Sequence, residues 1–121
     1  MLAGFLAGFA SLGHATAGEK EVIYDVQNSK LSDDQKLGIR VSWHMVTIDF
    51  IISTIVLMYG ALTDLNESTE LLIFIIGLHF LLYSIFFFLL YLTKGAKSIV
   101  RNPQWVLLLS ISILSFMGLY F

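Results

Sequence analysis

The sequence predicts an all-α fold, a four-transmembrane-helix bundle with both termini external. Three observations carry that expectation: four apolar runs near spanning length, a shortage of charge, and a segregation of the basic residues. Of 121 residues, 57% are hydrophobic and 13% charged, against a charged share of about 25% in soluble domains. An apolar helix of about 20 residues crosses roughly 30 Å of hydrocarbon. Lipid cannot satisfy free backbone groups, and four isolated strands could not close a barrel, so the runs are helices. The chain then forms a single integral membrane domain, residues 1–121, with the lipid bilayer as its solvent.

The first run, 1–17, lies at the short end of the spanning range. Its Ala15-Thr16-Ala17 resembles a small-residue cleavage site, but no basic segment precedes the apolar stretch, so the run is read as a helix. Residues 18–40 form the one substantial extramembrane piece, read as a cytoplasmic loop with turn formers at Asn28, Ser29, Ser32, Asp33 and Asp34. Within it Ser32-Asp33-Asp34-Gln35 has the pattern of a helix start, with Ser32 as cap, leading through Leu37 and Ile39 into the second run, 41–62. The third run, 71–93, has no polar face around Phe86-Phe87-Phe88 and suits a helix in contact with lipid. The fourth is 105–121.

Every Lys and Arg lies in two segments. Lys20, Lys30, Lys36 and Arg40 follow the first run, and Lys94, Lys97 and Arg101 precede the last. The link between runs two and three carries Asp64, Glu67 and Glu70 and no cation. By the positive-inside rule the basic segments are cytoplasmic and the acidic link external. Four crossings require both termini on one side, so charge and span count agree.

The net charge of -2 argues against a nucleic-acid partner, and the lack of Cys removes thiolate chemistry. No nucleophile elbow, P-loop, dinucleotide fingerprint or HExxH occurs. Met45, Met58 and Met117 are unclustered and read as apolar filling. Trp43, Trp105, Tyr59, Tyr91, Tyr120 and Phe121 read as an aromatic belt.

Chemistry is sought in the ionisable groups at membrane depth, which are costly there and mark sites or buried pairs. They are His14, His44, Asp49 and His79. At about 1.5 Å per residue, His14 and His44 both lie roughly 4 to 5 Å below the cytoplasmic boundary, on consecutive helices. With Glu19 they form a candidate His/His/Glu metal set, and two imidazoles at one level also suit haem iron. Thr47, one turn after His44, is a candidate support for that imidazole, and Arg40 a partner for a propionate or for Glu19. Interfacial His residues also serve as simple anchors. Asp49 and His79 lie at levels about 6 Å apart near the middle of the bilayer, within bridging reach as an intramembrane polar pair. An internal structural hydrogen bond is the favoured reading of that pair. On the second run Ser42, Asp49, Ser53 and Gly60 form one small and polar stripe, expected to face the bundle. His44 lies about 140° round the helix from Asp49, so the two polar features are separate.

Three local patterns occur in order: His14-x-x-x-Gly18-Glu19, Arg40-x-x-Trp43-His44-x-x-Thr47, and Pro103-Gln104-Trp105. Together they resemble a widespread group of short bacterial four-helix membrane proteins with an HxxxGE element after helix one and a WHxxT element opening helix two. The resemblance implies a multi-pass protein of the bacterial inner (plasma) membrane and a shared pattern, and assigns no mechanism. Asp49 and His79 lie outside the motifs.

Three functions remain in view. The first is a membrane protein whose rim residues His14, His44 and Glu19 bind a transition metal or haem, with Thr47 and Arg40 in support. The second is a non-catalytic accessory or assembly subunit of a larger membrane complex. The third is a proton-coupled transporter or quinone-linked enzyme, expected to act as a homo-oligomer because four short helices enclose little volume.

Overall fold

The computed structural model describes residues 1–121, and all its regular elements are helical. Helix α1, Leu2–Gly18, runs without a break through a π-helical turn, Glu19–Ile23, into the short α2, Tyr24–Gln27. Much of the expected loop 18–40 is therefore helix. Polar residues alone do not stop a helix; Gly18 keeps right-handed helical dihedrals, and no Pro intervenes. The stop comes where Asn28 Nδ2 and Ser29 Oγ donate to the Tyr24 and Val26 carbonyls.

Helix α3, Asp33–Leu62, begins as its sequence predicts. Ser32 Oγ accepts from Gln35 N, and Gln35 Oε1 accepts from Ser32 N, completing a capping box. Helix α4, Glu67–Thr93, starts four residues before the apolar run, because Asn66 Oδ1 accepts from Thr69 N and caps it. The basic link holds a further short helix, α5, Ala96–Arg101, which the apolar pattern does not announce. Gly95 precedes it at φ 97, a conformation open to Gly at little cost. Helix α6 spans Gln104–Tyr120.

Neighbouring helices are antiparallel. Gly4 meets Met58 and Gly18 meets Trp43 across α1 and α3; Gly60 meets Ile73 across α3 and α4; Gly77 meets Phe116 across α4 and α6. Helix α6 also packs on α1, closing an up-down-up-down bundle. The α1/α3 and α4/α6 pairs are the close ones, and the α3/α4 and α1/α6 seams are thinner.

Small residues make the close approach possible. Buried positions include Ala3, Ala7, Ala10 and Ser11 on α1, Thr47, Ser53 and Gly60 on α3, Gly77 and Ser84 on α4, and Ser112 and Ser115 on α6. Many of the large apolar side chains lie outside, Phe9 at 75% exposure and Phe86 at 59%, while Phe50, Phe80, Leu57 and Ile73 are buried in the core. Water would penalise that arrangement at about 25 cal/mol for each Å² of apolar surface, whereas lipid does not. Helices α3 and α4 are long and apolar enough to cross a membrane; α6 is apolar but shorter. Two buried hydroxyls bond to carbonyls across α4 and α6: Ser112 Oγ donates to Gly77 O at 2.7 Å and Ser84 Oγ to Trp105 O at 2.8 Å.

Of the expected stripe on α3, Ser53 and Gly60 are buried, Asp49 is half-buried and Ser42 is exposed. Ser42 lies toward the rim and outside the packed face.

Candidate functional site at the bundle rim

Two polar clusters stand on α3, one at the rim end of the α1/α3 seam and one deeper on the α3/α4 seam. The rim cluster begins with Gly18. A Cβ there would collide with the Trp43 ring, so only Gly lets the indole lie against α1. Trp43 Nε1 donates to the His14 carbonyl at 3.0 Å, and the indole stacks on the His14 imidazole with centroids 3.9 Å apart and planes 11° from parallel. His14 Nδ1 lies 2.8 Å from Thr47 Oγ1. With the Thr47 hydroxyl proton on the Trp43 carbonyl, 3.3 Å away, Thr47 Oγ1 accepts from His14 Nδ1, and Nε2 keeps the lone pair.

Glu19, Arg40 and His44 form a second group beside it. Arg40 Nη2 donates to Glu19 Oε1 at 2.7 Å, while His44 Nε2 stands 3.5 Å from Glu19 Oε2. That second oxygen is buried and has no hydrogen-bond partner. An open cleft of about 340 Å³ adjoins, lined by Glu19, Lys20, Ile23, Tyr24, Gln27 and Arg40.

The expected His14/His44/Glu19 ligand set is not assembled, for no three His, Asp or Glu side chains converge as metal donors. Equal depth sets position along the helix axis but not around it. Thr47 and Trp43 face α1 and engage His14, whereas His44 turns outward at 47% side-chain exposure. Thr47, expected behind His44, therefore serves His14 instead. Arg40 pairs with Glu19, one of the two partners its position suggests.

The deeper cluster brings Asp49 and His79 together. Asp49 Oδ2 and His79 Nε2 are 2.8 Å apart, bridging α3 and α4. Tyr83, one turn beyond His79, lies 4.1 Å from it between ring centroids. Both members of the pair stay about one-third exposed, 34% for Asp49 and 36% for His79, on the outer side of the seam. Phe50 and Phe80, both buried and stacked at 5.5 Å, fill the space between the two clusters. Phe50 is 6.1 Å from His14, and Phe80 is 5.6 Å from His79. The aromatic wall leaves no chain of polar groups between rim and pair.

Sequence reasoning placed Trp43 among belt residues, named Gly18 only as part of a local pattern without a role, and passed over Tyr83. Gly18 follows His14 by four residues, on the same helical face, and that spacing was the available signal for a close approach. Trp105 is likewise half-buried, donating through Nε1 to Ile99 O at 3.2 Å. No protein-family model, curated protein or solved structure matches the chain, and the site stands on its own geometry.

Proposed function

We propose that the chain is a four-span protein of the bacterial plasma membrane, with both termini outside, and that Glu19 and His44 hold a divalent transition metal at its cytoplasmic rim. The observation that carries the metal reading is the buried, unpartnered Glu19 Oε2 facing His44 Nε2 at 3.5 Å. That separation is long for a hydrogen bond. It suits two donors on one tetrahedral ion, since bonds of about 2.0 to 2.2 Å place neighbouring donors about 3.3 to 3.6 Å apart. Arg40 holds the other carboxylate oxygen and orients the first, as supporting hydrogen bonds do at metal centres. Water completes the coordination, leaving positions open to exchange. A metal ion fits better than haem, because the adjoining cleft is open and lined by charged groups rather than by an apolar slot.

Elemental analysis of detergent-purified protein tests this. Wild type is expected to carry close to one equivalent of metal, Glu19→Gln/His44→Ala to lose it, and His14→Ala to retain it. Equal metal content in wild type and the double variant overturns the reading. The lack of a third donor favours a second reading, a subunit that packs in a larger membrane assembly without chemistry of its own. Metal-free wild type purifying with a stoichiometric second protein supports that one. The aromatic wall of Phe50 and Phe80 speaks against a proton path from the rim to Asp49.

A further inference from the structure

The Asp49–His79 pair is satisfied on one side alone. Asp49 uses Oδ2 and His79 uses Nε2, and neither Asp49 Oδ1 nor His79 Nδ1 makes a hydrogen bond within the chain. Both side chains are about one-third exposed at the outer edge of the thin α3/α4 seam. On the membrane reading that edge faces hydrocarbon, where an unsatisfied polar group is costly. Around it the surface is apolar, with Ile48 and Ile52 exposed on α3 and Ile75 and Leu82 on α4.

We propose that a second copy of this chain covers the seam, the two Asp49–His79 pairs meeting across a two-fold axis along the bilayer normal. A suitable occupant must offer both a donor and an acceptor at this depth. A second copy does so by construction. Its charge bias inserts it in the same orientation, which sets its pair at the same level. With each pair as carboxylate and imidazolium, a two-fold axis then lets His79 Nδ1–H of each copy donate to Asp49 Oδ1 of the other, a self-complementary contact. The flanking Ile and Leu side chains pack around the polar centre and exclude lipid from it. Dimerisation at this seam leaves the rim cluster, on the α1/α3 side, accessible.

The proposal rests on the membrane reading but not on the metal. The chain has no Cys, so Ile52→Cys, one turn from Asp49, gives a single cross-linking position. In proteoliposomes treated with a bis-maleimide, the cross-linked dimer is expected for Ile52→Cys and to persist on dilution into excess lipid. Adding Asp49→Leu/His79→Leu, which removes both polar groups without stranding either, is expected to cut the dimer about tenfold while circular dichroism shows retained helicity. Adding Glu19→Gln/His44→Ala is expected to leave it unchanged. A cross-link that vanishes on dilution, or one that survives the double Leu variant, overturns the proposal. Carbonate washing of the same vesicles separates the two readings: protein that washes off overturns the membrane assignment, while retained monomer overturns the dimer alone.

Discussion

Gly18 controls the rim because the Trp43 ring occupies the space its side chain would need. Through that ring it also positions His14, which is held between the indole face and the Thr47 hydroxyl. Gly18→Ala is therefore expected to push the indole away from α1, at a cost of about 1 to 3 kcal/mol, in the usual range for overpacking a close contact. The obstacle is a rigid ring rather than the end of a flexible chain. In a Trp105→Phe background, the emission of Trp43 is expected to shift to the red, and chemical unfolding in detergent gives the stability change. Unchanged emission and stability would show that the indole does not rest on Gly18. The residues that carry charge at depth were legible in the sequence, because Asp and His stand out in an apolar run. The atoms each of them meets were not: Thr47 lies at i+3 from His44 yet bonds to His14, and no spacing rule on one helix reports a partner on another.

At the scale of the element, the turn Glu19–Ile23 shows why polar stretches mislead. Asp25 lies 18 residues after Ala7, and Glu21 lies 11 after Ala10. At about 3.6 residues per turn, an uninterrupted α-helix would set both acids on the bundle face. The π turn adds residues to the winding and rotates the chain beyond it. As a result Ile23 is buried at 2% exposure while Glu21 and Asp25 remain in solvent. The start of α3 was fully legible, since a capping box is a local device written in four consecutive residues. Ser32→Ala is expected to cost about 1 kcal/mol. Hydrogen exchange should report it as faster exchange of the amides of 33–36, with the apolar part of α3 unaffected; equal exchange across the helix would contradict it.

For the whole molecule, small residues share the core with a few large apolar ones, and many large apolar side chains face outward. Ala7 and Ser112 lie at the centre beside Phe80 and Ile111, while many of the other Phe, Ile and Leu side chains are exposed. Association then depends on close backbone approach and on hydroxyl-to-carbonyl bonds such as Ser112 to Gly77. The proposed threading is tested by labelling. With no native Cys, Ser68→Cys at the start of α4 is expected to react with an impermeant maleimide on intact cells. Ala96→Cys, in the basic link, is expected to react only after the membrane is opened. The reverse pattern would invert the topology, and labelling of both sites on intact cells would refute the crossing of α4.

The sequence by itself determined that the chain is helical, where its long apolar helices run, and how Ser32 opens α3. Each of these depends on composition, charge or neighbours along one helix, and the chain carries such information in order. Only the tertiary structure decided that His14 turns to Thr47 and Trp43, that Glu19 joins Arg40 and His44, and that the Asp49–His79 pair stays open at its outer edge. Those outcomes depend on the rotation of each helix about its own axis. That rotation is set by which small residues let two backbones approach, a property of helix pairs that no single helix contains.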